Sequence, residues 1–249
     1  MLINSKNIEF ETFIKDFKES EDLMPELQNI FNPKKWNLND TKKHWLKIAN
    51  EQLKSIGKTF IVDDNNRALI LHLFNYFWNI DTTKEKVHGF DKFKNIMLSG
   101  NFGCGKTLIM EIFSEHLINL RADSKFILKS MENIYIDFQN DYAFAINEYG
   151  LNKIKNEYGV LVEKPYNLCI DDIGTTNLTI KVYGNELNFL EQLMLIRYEL
   201  WTKKGIKTHI TSNLTKEQLS KNFTDRMKSR ILEMYQTKKI LSINRRTSK

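Results

Sequence analysis

The stretch 97-MLSGNFGCGKTLIM-110 narrows the choice of architecture more than any other part of the chain. Gly100, Gly103 and Gly105 fall within six residues, although glycine weakens helices and strands alike. Gly100, Gly105, Lys106 and Thr107 fit the pattern G-x-x-x-x-G-K-[ST], with an apolar run on each side. A loop that wraps a polyphosphate points its backbone N–H groups inward, where a Cβ would clash or forbid the required dihedrals. The helix that follows adds the partial positive charge of its N-terminus. Lys106 is placed to reach the β- and γ-phosphates, and the Thr107 hydroxyl to ligate Mg²⁺. Gly100, Asn101, Phe102, Gly103, Cys104, Gly105, Lys106, Thr107 and Leu108 are therefore the candidate nucleotide-binding residues, with ATP and Mg²⁺ as expected cofactors. Cys104 reads as a filler at a free position of the loop; a thiol at a helix N-terminus would instead predict alkylation that bound nucleotide blocks.

The surroundings suit such a loop. From residue 95 onward, short apolar runs alternate with longer helical patterns: strands at 96–98, 126–128, 168–170, 207–211 and near 238–243, and helices at 106–120, 131–146 and 186–205, with two short helices after residue 211. This alternation predicts an α/β fold whose parallel sheet is covered by helices on both faces. The segment 64–79 is apolar nearly all round and reads as a buried helix. The first 57 residues carry no strand signal. Helical spacing there covers Phe10 to Phe17 and Leu23 to Phe31, and a further helix runs from a cap at Asp40 or Thr41 to Gly57, with Trp45, Ile48, Ala49, Leu53 and Ile56 on one face. Two regions are expected: a small helical one over 1–57 and the α/β domain over 58–249.

A second cluster of polar residues completes the site. In 168-LCIDDIG-174 an apolar strand ends in two carboxylates, where strands of an open α/β sheet face their ligand crevice. Asp171 fits the acid that holds Mg²⁺, and Asp172 the group that orients and deprotonates an attacking water. Asn213, at the end of 210-ITSNLT-215, is placed to bridge that water and the γ-phosphate. In 226-RMKSR-230, Arg226 and Arg230 share a helix face, as a solvated basic surface or as an arginine finger for a neighbouring subunit.

Charge is uneven along the chain. Residues 221–249 hold nine Lys/Arg against Asp225 and Glu233, so that of the total +6 the rest of the chain carries −1. A solvated tail or contacts to phosphates would both account for this. The first twenty residues lack an apolar core, the longest apolar run (68–80) is too short for a bilayer, and two cysteines are too few for a disulfide scaffold. A soluble cytoplasmic protein with reduced thiols and no membrane partner is expected.

Taken in order and spacing, GNFGCGKT, LCIDDIG, IRYELWTKKGIKTHITSNLT and DRMKSRILEM resemble the AAA+ ATPases of the bacterial helicase-loader group, which holds DnaC/DnaI-type loaders and IstB-type transposition ATPases. The resemblance covers about residues 93–246 and implies a RecA-like AAA+ core. It assigns Lys106 and Thr107 to Walker A, Asp171 and Asp172 to Walker B, Asn213 to sensor 1 and Arg230 to the arginine finger, with Arg226 beside it. It makes Arg197 a further candidate near a subunit interface, and Arg245 or Arg246 the sensor 2 contact. It implies an ATP-dependent homo-oligomer, a replicative DNA helicase and single-stranded DNA as partners, and an N-terminal region that grips the helicase. Two departures stand out. Many AAA+ proteins have Glu at the place of Asp172, so hydrolysis is expected to be slow and switch-like. Only 36 residues follow Asn213, which implies a reduced lid. The alternatives are an IstB-like transposition helper, a small-molecule P-loop kinase and an adaptor that binds ATP without turnover.

Overall fold

The computed structural model describes residues 38–78, 91–174, 178–182 and 184–240. The helical patterns over 10–31 and the basic pair Arg245 and Arg246 lie outside the described residues. The chain divides into two compact units, residues 1–61 with 115–122, and residues 62–114 with 123–249.

In the first unit, helix α1 (Leu38–Lys54) buries Trp45, Leu46, Ile48 and Ala49. It starts earlier than the Asp40 or Thr41 cap predicted from sequence, and Ile56 lies exposed beyond its end. Lys58 N–H donates to Leu53 O, and Gly57 takes φ 67°, so the helix closes in a left-handed turn that favours glycine. His44 and His116 face each other at 2.9 Å between their Nδ1 atoms.

The second unit holds the sheet. Helix α2 (Arg67–Trp78) begins where the Asp63 carboxylate accepts the N–H groups of Asn65 and Asn66, and is buried on most sides. Strand β1 (Asn95–Gly100) runs into the glycine loop and then α3 (Lys106–Asn119), whose last turn belongs to the first unit. Next come β2 (Phe126–Ser130), α4 (Met131–Asn140) and α5 (Tyr142–Ile146), followed by a π turn (Asn147–Leu151). The single helix expected over 131–146 is broken because the Asp141 side chain accepts the Phe144 N–H and caps a new helix. A hairpin of β3 (Lys153–Lys155) and β4 (Leu161–Glu163) leads to β5 (Asn167–Ile173). A second hairpin, β6 (Thr179–Val182) with β7 (Asn185–Asn188), precedes α6 (Phe189–Lys204). Asn188 caps α6 by accepting the Glu191 N–H, which moves the helix start from the expected 186 to 189. The chain ends its described part with β8 (Thr208–Ser212), α7 (Lys216–Ser220), α8 (Asp225–Met234) and β9 (Tyr235–Ile240). Strand β9 sits three residues before its expected place, in register with β1 from Asn95–Tyr235 to Gly100–Ile240.

The five strands lie in the order β2-β5-β8-β1-β9, all parallel. The fold is thus α/β with helices on both faces of a parallel sheet, as expected for a RecA-like P-loop NTPase. On one face Met97, Leu168, Ile170 and Ile210 join Ile134 and Phe138 of α4, Leu190 and Leu193 of α6, and Met227 and Ile231 of α8. On the other, His209 is ringed by Tyr76, Phe77 and Phe126, and Phe77 meets Phe113 of α3. The chain leaves β1 for β2 at the far edge and returns through β5 and β8, so the C-terminal ends of β5, β8 and β1 are neighbours at a topological switch point.

Candidate nucleotide site

Those three strand ends bring together the glycine loop, the acid pair and Asn213. The loop leaves β1 at Gly100 with φ 155°, where an added Cβ would stand 2.8 Å from Ile240 O. Gly103 and Gly105 take φ 76° and 96°, a region that side chains resist. Lys106 is buried. Its ammonium donates to Gly100 O at 2.8 Å, Asn101 O at 3.1 Å and Asn213 Oδ1 at 2.8 Å. All three of its protons therefore already point to oxygens, and a phosphate would take the place of one of them.

Opposite the loop, the Thr107 hydroxyl lies 3.0 and 2.9 Å from the two oxygens of Asp171. Burial pushes the Asp171 carboxyl above its ordinary range, against the pull of the Thr211 and Thr107 hydroxyls. The neighbouring Asp172 charge raises it further, and Lys106 lowers it. Asp172 has φ 60°, a left-handed backbone that costs a non-glycine residue about 1–2 kcal/mol. The pairing of β5 with β8 skips register between Ile170 and Ile173, so the two acids occupy a bulge. Two contacts hold Asp172 there: its N–H donates to Thr211 Oγ1 at 2.9 Å, and Asn213 Nδ2 donates to its Oδ1 at 2.9 Å. The Asn213 amide therefore links Lys106 to Asp172.

A hydroxyl and a carboxylate, both hard oxygen donors, suit Mg²⁺, which keeps several waters and shares its shell with nucleotide phosphates. Among the described residues, no group of three or more His, Cys, Asp or Glu gathers as a metal cage. Phe102 is exposed at the loop tip, while Gly103, Gly105, Thr107 and Leu108 are partly exposed.

Burial decides two sequence expectations. Cys104 is buried at 1% exposure, with its sulfur beneath the loop 3.1 Å from where a Gly100 Cβ would lie. That burial favours the filler reading of Cys104 over a reagent-accessible thiol. Arg197 is also 1% exposed, and does not stand at a surface where another subunit could meet it. Its guanidinium donates to Thr208 Oγ1, Tyr149 O, Tyr166 O and Lys207 O, tying the π turn to the starts of β5 and β8. Burial lowers its pKa to about 10, so it stays cationic at neutral pH. Arg226 is exposed on α8, and Arg230 lies over the Tyr198 ring with 4.4 Å to its centroid. Sequence reasoning overlooked Thr211, which is fully buried and bonded to both acids. The excess of hydroxyls in 208-THITS-212, a strand buried at every position, was the available signal.

No family model matches the chain, and no curated protein matches it. Among solved structures, the chain is similar to DnaI at 17% identity, over 76% of this chain and 89% of that one, with a TM-score of 0.49. It is similar to the DnaC helicase loader at 15% identity, over 75% and 96%, with a TM-score of 0.45. It is similar to AMPPCP-bound DnaA from Aquifex aeolicus at 19% identity, over 73% and 48%, with a TM-score of 0.47. These are likenesses of fold alone. No helix of the described residues is long and apolar enough to cross a membrane.

Proposed function

We propose that this protein binds and slowly hydrolyses ATP with Mg²⁺ as an AAA+ switch of DNA replication, and that it loads a replicative helicase onto single-stranded DNA. One observation carries the nucleotide part. The residues proposed to hold phosphate and those proposed to hold metal form one hydrogen-bonded chain, from Lys106 to Asn213, Asn213 to Asp172, Asp172 to Thr211, Thr211 to Asp171, and Asp171 to Thr107, the sequence neighbour of Lys106. A glycine turn with no ligand would not need a buried lysine and a buried carboxylate at adjoining strand ends.

In this reading the loop amides and Lys106 bind the triphosphate. Mg²⁺, when bound by Thr107 and Asp171, supplies charge neutralisation for the transferring phosphoryl group. Asp172 takes the proton of the attacking water, and Asn213 orients that water. Arg230 on α8, with Arg226 one turn before it, serves a neighbouring subunit, so that ATP holds copies of the chain together. The resemblance of the motifs to helicase loaders supports the helicase and single-stranded DNA as partners and the cytoplasm as the place. The remaining basic residues of 221–249, apart from Arg226, Arg230 and the sensor 2 candidates Arg245 and Arg246, are the proposed DNA contacts.

Calorimetry with ATP and Mg²⁺ tests the core of this. Binding is expected for the wild type and a loss of at least about tenfold in affinity for Lys106→Ala, the worth of one charge-assisted contact. Equal binding by both would end the reading. The oligomer part predicts turnover per subunit that rises with protein concentration, and the DNA part predicts affinity that falls steeply with salt.

A further inference from the structure

We infer that Thr211 is a positioning residue for the proposed ATPase reaction: its one hydroxyl fixes both acids, Asp171 through its side chain and Asp172 through its backbone. The inference rests on the reading of this site as one for ATP and Mg²⁺. Thr211 Oγ1 donates to Asp171 Oδ1 at 2.5 Å and accepts from the Asp172 N–H at 2.9 Å. The donor and one lone pair of a single oxygen are thus spent on two consecutive residues of the neighbouring strand.

Three features make this more than a satisfied buried hydroxyl. First, the two acids sit where β5 departs from the β8 register, so the ladder with β8 does not hold them, and the β2 ladder on the other side reaches only as far as Ser130–Asp171. Second, Asp172 has φ 60°, and the hydroxyl accepts the N–H of that same left-handed residue. Without it the backbone has a stabilising reason to relax toward the ordinary strand conformation, which would turn the Asp172 side chain. Third, Thr211 is outside the phosphate-binding loop. The Thr107 hydroxyl, which also bonds Asp171, belongs to the loop and is the group a metal would draw on. The hold of Thr211 comes from β8 and is independent of what the loop contains. A β-branched side chain in a strand has few χ1 states, so the hydroxyl is aimed before any ligand arrives.

The test compares Thr211→Val, which keeps shape and loses the hydroxyl, with Thr211→Ser, which keeps the hydroxyl. Five quantities are read: the thermal midpoint, the affinity for a fluorescent ATP analogue in EDTA, the Mg²⁺ concentration that half-saturates the change in its fluorescence, kcat and KM. For Thr211→Val, nucleotide affinity in EDTA is expected to stay within about threefold, because the loop is untouched. Its Mg²⁺ half-saturation is expected to rise and its kcat to fall, each by about ten- to a hundredfold, the usual effect of removing a partner that orients a metal ligand. KM changes little and Thr211→Ser restores both. If the valine variant does not fold, Thr211→Ala against Thr211→Ser carries the same comparison. Wild-type values of Mg²⁺ half-saturation and kcat in the variant without the hydroxyl overturn the inference. So does a serine variant as impaired as valine, which would assign the effect to packing. A wild type that binds the analogue in neither EDTA nor Mg²⁺ overturns the site reading itself, and this inference with it.

Discussion

Replacing Arg197 by Met separates a structural role from an interface role at one residue. The guanidinium is 1% exposed and makes four hydrogen bonds, to Thr208 Oγ1 at 2.6 Å, Lys207 O at 2.7 Å, Tyr166 O at 2.8 Å and Tyr149 O at 3.4 Å. Methionine fills much of the space but donates to none of these. The Lys207 carbonyl keeps the Leu168 N–H as a partner, so its loss is small. The 3.4 Å contact to Tyr149 is weak. That leaves the Thr208 hydroxyl and the Tyr166 carbonyl, at about 1–3 kcal/mol for each buried group that loses its partner. Relief from burying a cation offsets part of this, so the net loss is about 2–4 kcal/mol. For a chain of this size that is a fall in melting temperature of about 5–15 °C. Circular dichroism against temperature and urea measures it, alongside ATPase against protein concentration. A loss below about 1 kcal/mol would refute the structural account, since buried hydrogen bonds to carbonyls cannot be that cheap to remove. The interface role would return if Arg197→Met melted like the wild type while the concentration dependence of its ATPase disappeared.

Other outcomes follow from the same geometry. Asp172→Asn is expected to leave ATP affinity within about threefold and to lower kcat by at least about a hundredfold, as for loss of a general base; unchanged steady-state turnover would remove Asp172 from that role. Cys104 and Cys169 are both free and buried, so a thiol reagent should label the native protein on the order of a hundredfold more slowly than the urea-unfolded chain, with or without nucleotide. Fast labelling of one thiol in the native state would show that the loop opens. Stability should fall as pH drops below 6.5. Burial holds His209 at about 3, with the Ile96 N–H donating to its Nδ1, and holds His116 at about 3 beside His44, so both stay neutral when folded and take up protons when unfolded. Full stability is present above pH 6.5 and declines toward pH 3; at pH 5.5 each imidazole contributes a loss of about 1.4 kcal/mol. Equal urea midpoints at pH 7.5 and 5.5 would contradict this.

Much of the site was legible because its signals are local. A glycine loop between a strand and a helix is a short-range backbone requirement, and the positive φ angles of Gly103 and Gly105 are what the spacing called for. Both hairpins were overlooked although Gly184–Asn185 is a turn signal, since strands of three or four residues are too short for alternation to stand out. The break at Asp141 was hidden for a related reason. Helical periodicity passes through it, and the competing cap is a side-chain choice that the apolar pattern does not record.

The sequence by itself determined the glycine loop between strand and helix, the acid pair after an apolar strand and the alternation that makes a parallel sheet. Each depends on residues within a dozen positions of one another. The tertiary structure alone decided which polar groups face each other across strands. Thr211 meets Asp171 from 40 residues away, and Asn213 meets Lys106 from 107. It also decided that Arg197 and Cys104 turn inward. Strand order and register set those meetings, and register is fixed only when the whole apolar core packs on both faces of the sheet.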